Sequence, residues 1–124
     1  MKSMEFRFYY FTPLYEATVE FYRTTLGLAV YNSWDRPDGD RGTIFSSPNG
    51  VGLIEIEAGQ HMPSLLGGFY IEVEDLDDWY SKLTQAGAPF RKELSDTSYG
   101  HRNFKTVDPN GVEICFFQYL TKGE

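Results

Sequence analysis

The feature that most constrains this chain is that it is written twice. An amphipathic run ends at Leu26-Gly27-Leu28 and another at Ala86-Gly87-Ala88, sixty positions on (27 to 87). Pro48-Asn49-Gly50 recurs as Pro109-Asn110-Gly111, sixty-one positions on (48 to 109). Each run follows a strand-like stretch, Glu5 to Phe11 in the first half and Phe69 to Glu74 in the second. Such a repeat makes both halves one kind of supersecondary unit. The clearest segment, FKTVDPNGVEICFFQ from Phe104 to Gln118, reads as a hairpin: Pro109 presets φ for the turn, and Asn110 and Gly111 tolerate positive φ. A weaker copy, FSSPNGVGLIEIE, runs from Phe45 to Glu57.

Periodicity fills in the rest. Phe6, Phe8 and Tyr10 alternate with Arg7, Tyr9 and Phe11, the period of a strand, and both faces carry bulk. Thr12-Pro13 reads as an N-cap with proline at the first helical position. Tyr15, Val19, Tyr22 and Leu26 form one apolar stripe, and Gly27 ends the helix. Strands are expected over 28–34, 41–47 and 51–57, the last placing Leu53, Glu55 and Glu57 opposite Ile54 and Ile56. After a linker over 58–67 the order repeats. Asp75 is expected to cap a helix with the stripe Leu76, Tyr80 and Leu83, Gly87 ends it, and a strand over 90–94 and a polar loop over 95–100 lead into the hairpin. Residues 121–124 read as a tail.

At 124 residues the chain has the length of one domain, with module one at about 5–57 and module two at about 68–119. Its 41% hydrophobic content is globular, and no apolar run approaches the roughly 18 residues of a membrane span. A net charge of −7 argues against nucleic acid, whose phosphates demand basic patches. One cysteine forms no internal disulfide and no signal peptide is evident, so a cytoplasmic location is the expectation.

Phe21-Tyr22 followed by Leu26-Gly27-Leu28, Val73-Glu74-Asp75-Leu76, Ala86-Gly87, Gly100-His101-Arg102 and Asp108-Pro109-Asn110-Gly111 together resemble the vicinal oxygen chelate superfamily. This is the group of glyoxalases, bleomycin-resistance proteins and extradiol dioxygenases. The resemblance covers essentially the whole chain. It implies an α+β fold of two βαβββ modules, with curved mixed sheets around a cavity, in a homodimer. In metal-dependent members a divalent ion is held by residues from the first and last strands of each module. Here the corresponding positions are Arg7, Glu55, Gly68 and Cys115. Arginine does not ligate a cation, glycine has no side chain, and a lone cysteine suits softer sites. Only Glu55 retains the expected chemistry, so no metal or other cofactor is predicted.

Each candidate residue keeps two readings. Arg7 either replaces the metal's charge, reaching Glu55 or Glu72, or is a strand-end arginine in solvent. Glu55 is a cavity acid/base group or a solvent-facing glutamate, and Cys115 a pocket residue or a small buried hydrophobe. His101 is a loop acid/base group or surface decoration. Tyr9, Phe11, Trp34, Tyr70 and Phe117 are walls of a ligand site, with Glu55 and Glu72 making them attractive to a cation, or plain core. The leading expectation is a glyoxalase/bleomycin-resistance-like protein that binds a small aromatic or cationic molecule without metal. The alternatives are a lyase, isomerase or dioxygenase, either with a non-standard divalent-metal site using Glu55 or as a metal-free acid/base catalyst using Glu55 with His101, and a non-catalytic interaction domain.

Overall fold

The computed structural model describes residues 4–64 and 67–120. The tail expected over 121–124 and two residues of the expected linker, 65–66, lie outside the described residues. The chain divides into two compact units, 1–64 and 65–124, and each carries one βαβββ module.

In the first unit β1 (Arg7–Thr12), β2 (Val30–Asp35), β3 (Arg41–Ser46) and β4 (Leu53–Ala58) form a mixed sheet in the order β1-β4-β3-β2. β1 runs parallel to β4, placing Tyr9 opposite Glu55 and Phe11 opposite Glu57. The other pairings are antiparallel, with Ile44 opposite Glu55 and Gly42 opposite both Glu57 and Trp34. The helix α1 (Tyr15–Glu20) continues as a π-helical turn over Phe21–Thr25, closed by Leu26 N–H donating to the Phe21 carbonyl at 2.9 Å. The extra residue in that turn lets Phe21 and Tyr22 both point inward, where a regular helix would favour one. Their rings meet edge to face at 5.2 Å. Tyr15, Val19, Tyr22 and Leu26 are all buried, and Gly27 ends the helix at φ 71°. The core between helix and sheet comprises Tyr22, Phe45, Ile54 and Ile56, each fully or nearly fully buried and each contributing roughly 1.5–3 kcal/mol by that burial. Tyr15 Oη and Thr43 Oγ1, 2.7 Å apart, tie α1 to β3.

The start of α1 differs from expectation. Thr12 does not cap it: Thr12 is the last residue of β1, its carbonyl accepting from Gly59 N–H at 3.0 Å. Its hydroxyl accepts from Leu14 N–H at 2.9 Å, and the helix begins only at Tyr15. Pairing with the chain beyond β4 holds Thr12 in extended backbone, so the turn falls later than local propensity places it.

In the second unit β5 (Gly68–Glu72), β6 (Phe90–Asp96), β7 (His101–Val107) and β8 (Glu113–Tyr119) form a mixed sheet in the order β5-β8-β7-β6. Helix α2 (Leu76–Gln85) covers one face, packing Trp79 at a tilt against Phe116 at 5.2 Å and Tyr80 edge-on to Phe104 at 5.1 Å. Phe104 and Phe116 are themselves parallel, 7° apart in plane at 4.9 Å. Asp75 occupies the N-cap position of α2 without a side-chain capping bond, its carbonyl accepting from Trp79 N–H. In the hairpin turn, buried Asp108 accepts through Oδ1 from the N–H groups of Asn110 at 2.8 Å and Val112 at 3.0 Å, and Gly111 takes φ 87°. β6 runs to Asp96, beyond the expected end at residue 94. Among the described residues no helix is long and apolar enough to cross a membrane.

Candidate functional site

In each sheet one face is packed by its helix, and strand alternation assigns the remaining side chains to the other, open face. In the first unit Tyr10, Thr43 and Phe45 meet α1 or its π-helical turn, so Arg7, Tyr9, Phe11, Trp34, Glu55 and Glu57 share the open face. Tyr9 is 60% exposed and Phe11 49%, their rings edge to face at 6.3 Å. Trp34 lies over Gly42, where an added Cβ would sit 2.2 Å from the indole. Its Nε1–H donates to Asp40 Oδ1 at 2.8 Å, and Arg36 pairs with the other Asp40 oxygen.

At the centre of this face stand three ionisable groups. Glu55, only 8% exposed, accepts from Arg7 Nη1 at 2.6 Å, while Arg7 Nη2 reaches Glu5 at the same distance. Glu57, two residues on along β4, brings its carboxyl close enough to that of Glu55 for each to perturb the other. Two carboxylates this close do not both ionise freely. Glu57 is pushed up to about 7, first by Glu55, then by burial and by the charge of Asp40. Glu55 is held below the usual carboxylate range, first by Glu57 and then by Arg7. The face can therefore release or take up a proton near neutral pH at a carboxyl flanked by aromatic rings. Glu57 is the residue sequence reasoning undervalued; its signal was the two-residue spacing from Glu55, which puts both on one face of a strand.

In the second unit Gly68, Tyr70, Glu72, Cys115 and Phe117 lie on the open face of β5 and β8. His101 joins them, because it is the first residue of β7 and pairs with Tyr119; it does not lie in a loop. Its ring stacks on Phe117 at 4.5 Å, and Tyr99 and Tyr119 stand edge-on to it at 5.1 and 4.8 Å. The buried Nδ1 of His101 has no hydrogen-bond partner among the described residues. Tyr70 is half exposed, Glu72 half-buried, and Cys115 buried, its thiol pushed up by that burial. Lys92, Asn103 and Lys105 also face this side, a set that periodicity did not single out. Glu55 and His101 thus stand in different units, each with its own neighbours.

The profile of the Glyoxalase/Bleomycin resistance protein/Dioxygenase superfamily matches residues 7–116, and the chain belongs to that superfamily. Solved structures share the fold. A glyoxalase/bleomycin resistance protein/dioxygenase from Nocardioides is 21% identical with a TM-score of 0.74, covering 100% of this chain and 88% of its own. TioX from Micromonospora sp. is 18% identical with a TM-score of 0.76, covering 95% of this chain and 100% of its own. A glyoxalase/bleomycin resistance protein from Catenulispora acidiphila is 21% identical with a TM-score of 0.73, covering 94% and 98%. Comparison with curated proteins gives no match.

The residues at the positions that the resemblance assigns to metal ligands do not fit a divalent ion. Arg7 brings a cation to Glu55 where a ligand would bring an electron pair. Gly68 offers no donor and has no room for one, since a Cβ there would fall 1.7 Å from the Glu113 carbonyl oxygen. The Cys115 thiol is stabilised in its protonated form. No group of three or more His, Cys, Asp or Glu side chains suited to a metal occurs among the described residues.

Proposed function

We propose that this protein is a small-molecule-binding member of the superfamily that takes an organic cation on the open face of its first unit, without a divalent metal. The observation that carries this reading is the placement of the Glu55–Glu57 carboxyl pair among Tyr9, Phe11 and Trp34 on one sheet face. Aromatic faces attract cations through the ring quadrupole, and a desolvated contact of this kind is worth up to about 2 kcal/mol. The carboxyl pair supplies the specificity. An arriving cation displaces the proton from Glu57 and pairs with the carboxylate left behind, while Arg7 keeps Glu55 oriented and charged. Binding of this type sequesters a ligand by stacking and charge, with no covalent step.

Two measurements test the reading. Elemental analysis of protein purified without chelator, with Glu55→Gln as control, is expected to find no stoichiometric metal in either; near-stoichiometric metal lost in the variant would overturn the metal-independent part. Calorimetry with benzyltrimethylammonium against its neutral isostere, neopentylbenzene, is expected to favour the cation at least ten-fold in the wild type and not in Glu57→Gln. At 100 times Kd the cation would raise stability by about 2.7 kcal/mol. Equal binding of both probes would overturn the cationic part.

A second reading rests on the same carboxyl. A group titrating at about 7 is suited to take a proton from a substrate carbon or hydroxyl at neutral pH, the chemistry of a lyase or isomerase. On that reading Glu57→Gln abolishes turnover while leaving ligand affinity within a few-fold.

A further inference from the structure

The open face of the second unit carries a pair of lysines that the reading above does not use. Lys92 of β6 and Lys105 of β7 are ladder partners, and Lys105 lies opposite Cys115 of β8. A break in register produces this pairing. Phe90 packs on the helix side, against Tyr80 at 4.9 Å and Phe104 at 5.7 Å. In a regular strand Lys92, two residues on, would share that side. The register shift between Phe90 and Lys92 turns it to the opposite face, as an extra residue in one strand of an antiparallel pair does.

Like charges placed directly opposite in a sheet are destabilising. Little in their surroundings offsets the repulsion. The Lys92 ammonium donates to three neutral acceptors, Asn103 Oδ1 at 2.6 Å, Ser95 Oγ at 2.7 Å and, more weakly, the Asn103 carbonyl at 3.5 Å. Lys105 lies 3.9 Å from Glu113 Oε1, beyond hydrogen-bonding distance, and the other oxygen of Glu113 faces Arg91 at 3.3 Å. Glu72 is the other carboxylate on this face, on β5, with β8 between it and the lysine-bearing strands. Asn103 is fully buried, which fixes the position of the Lys92 ammonium. Beside the lysines stand rings: Tyr70 opposite Cys115, and the stacked His101 and Phe117 with Tyr99 at their edge.

We infer that this face is a second binding site, for a planar ring bearing an oxyanion, a carboxylate or a phosphate. Lys92 and Lys105 hold the anion and relieve their mutual repulsion, and Tyr70 and Tyr99 contact the ring. The site is opposite in sign to the cation face of the first unit.

Calorimetry at pH 7 and low salt with benzoate, phenyl phosphate, benzyl alcohol and acetate tests the inference. Saturable binding is expected for benzoate or phenyl phosphate, the tighter of the two naming the anion, with the neutral ring and the ringless anion at least ten-fold weaker. Lys105→Gln, which removes only a loose ion pair, should lose ten-fold or more for the ring-bearing anions, and Lys105→Arg should keep most of it. Benzyltrimethylammonium is titrated into the same wild-type protein in parallel, so that failure here is distinct from failure of the cation reading. Absence of binding by both ring-bearing anions would overturn the site, as would benzyl alcohol binding equally well. Unaltered affinity in a Lys105→Gln variant with native circular dichroism would overturn it too.

Discussion

Arg7 Nη1 lies 2.6 Å from Glu55 Oε1, across the parallel ladder of the first and last strands of the first module. The guanidinium forks, its other nitrogen reaching Glu5 at the same distance. It supplies one fixed positive charge to a carboxylate that is almost fully buried.

Replacing Arg7 with Met should therefore leave Glu55 charged and poorly compensated. Hydrogen bonds to charged groups contribute about 1.5–3 kcal/mol, but the Arg7 side chain is 33% exposed, so screening brings the expected loss to about 1 kcal/mol. Urea denaturation at pH 7 measures it. A loss below about 0.3 kcal/mol would mean that solvent already satisfies Glu55.

The Glu57 carboxyl predicts a pH dependence of stability. Its folded pKa is raised from 4.5 to about 7, so the folded state holds a proton that the unfolded chain gives up. That contribution is fully present below pH 4.5 and is lost as pH rises to and through about 7. Glu55 works in the opposite sense, stabilising above the ordinary carboxylate range and losing this as pH falls through its depressed value. Glu57→Gln should match the wild type near pH 5 and exceed it near pH 8 by about 1 kcal/mol, the full shift being reduced by partial exposure. Equal differences at the two pH values would show that Glu57 does not hold the proton.

Gly42 and Trp34 give a prediction that reads out by fluorescence. A Cβ at residue 42 would lie 2.2 Å from the indole, so Gly42→Ala must swing the ring off the strand and break its bond to Asp40. The expected result is a red-shifted emission from Trp34, measured in a Trp79→Phe background, with weakened cation binding. Unchanged emission would place the ring elsewhere.

Gly68→Ala should be far more damaging. Its Cβ would meet backbone and not a movable side chain, the Glu113 oxygen at 1.7 Å, so the β5–β8 ladder must part. We expect a loss of about 3 kcal/mol or more by thermal or urea unfolding. Gly87→Ala, at φ 77° in open space, should lose only about 1–2 kcal/mol.

Much of the architecture is legible in local signals. The stripe Tyr15, Val19, Tyr22 and Leu26 marks a helix face that is in fact buried, and Asp108-Pro109-Asn110-Gly111 marks a turn that Asp108 in fact organises. The sixty-residue repeat is enough to recover two βαβββ modules. Thr12 and His101 were misplaced for a common reason. Cap and loop propensities describe a residue with its chain neighbours, whereas these two are held extended by hydrogen-bonded partners far along the chain, Gly59 for Thr12 and β8 for His101.

The sequence by itself determined the elements, their repeated order, the side of β4 that holds Glu55 and Glu57, and the presence of an arginine at residue 7 and a glycine at residue 68, neither of which offers a metal donor. These follow from the period of a strand, the period of a helix and the chemistry of single side chains, all local properties. Tertiary structure alone decided that Arg7 meets Glu55, that the carboxyl of Glu57 is pushed above the usual carboxylate range, and that a register shift turns Lys92 to face Lys105. Those depend on distances between strands set by ladder register and burial, and electrostatic energy varies steeply with both.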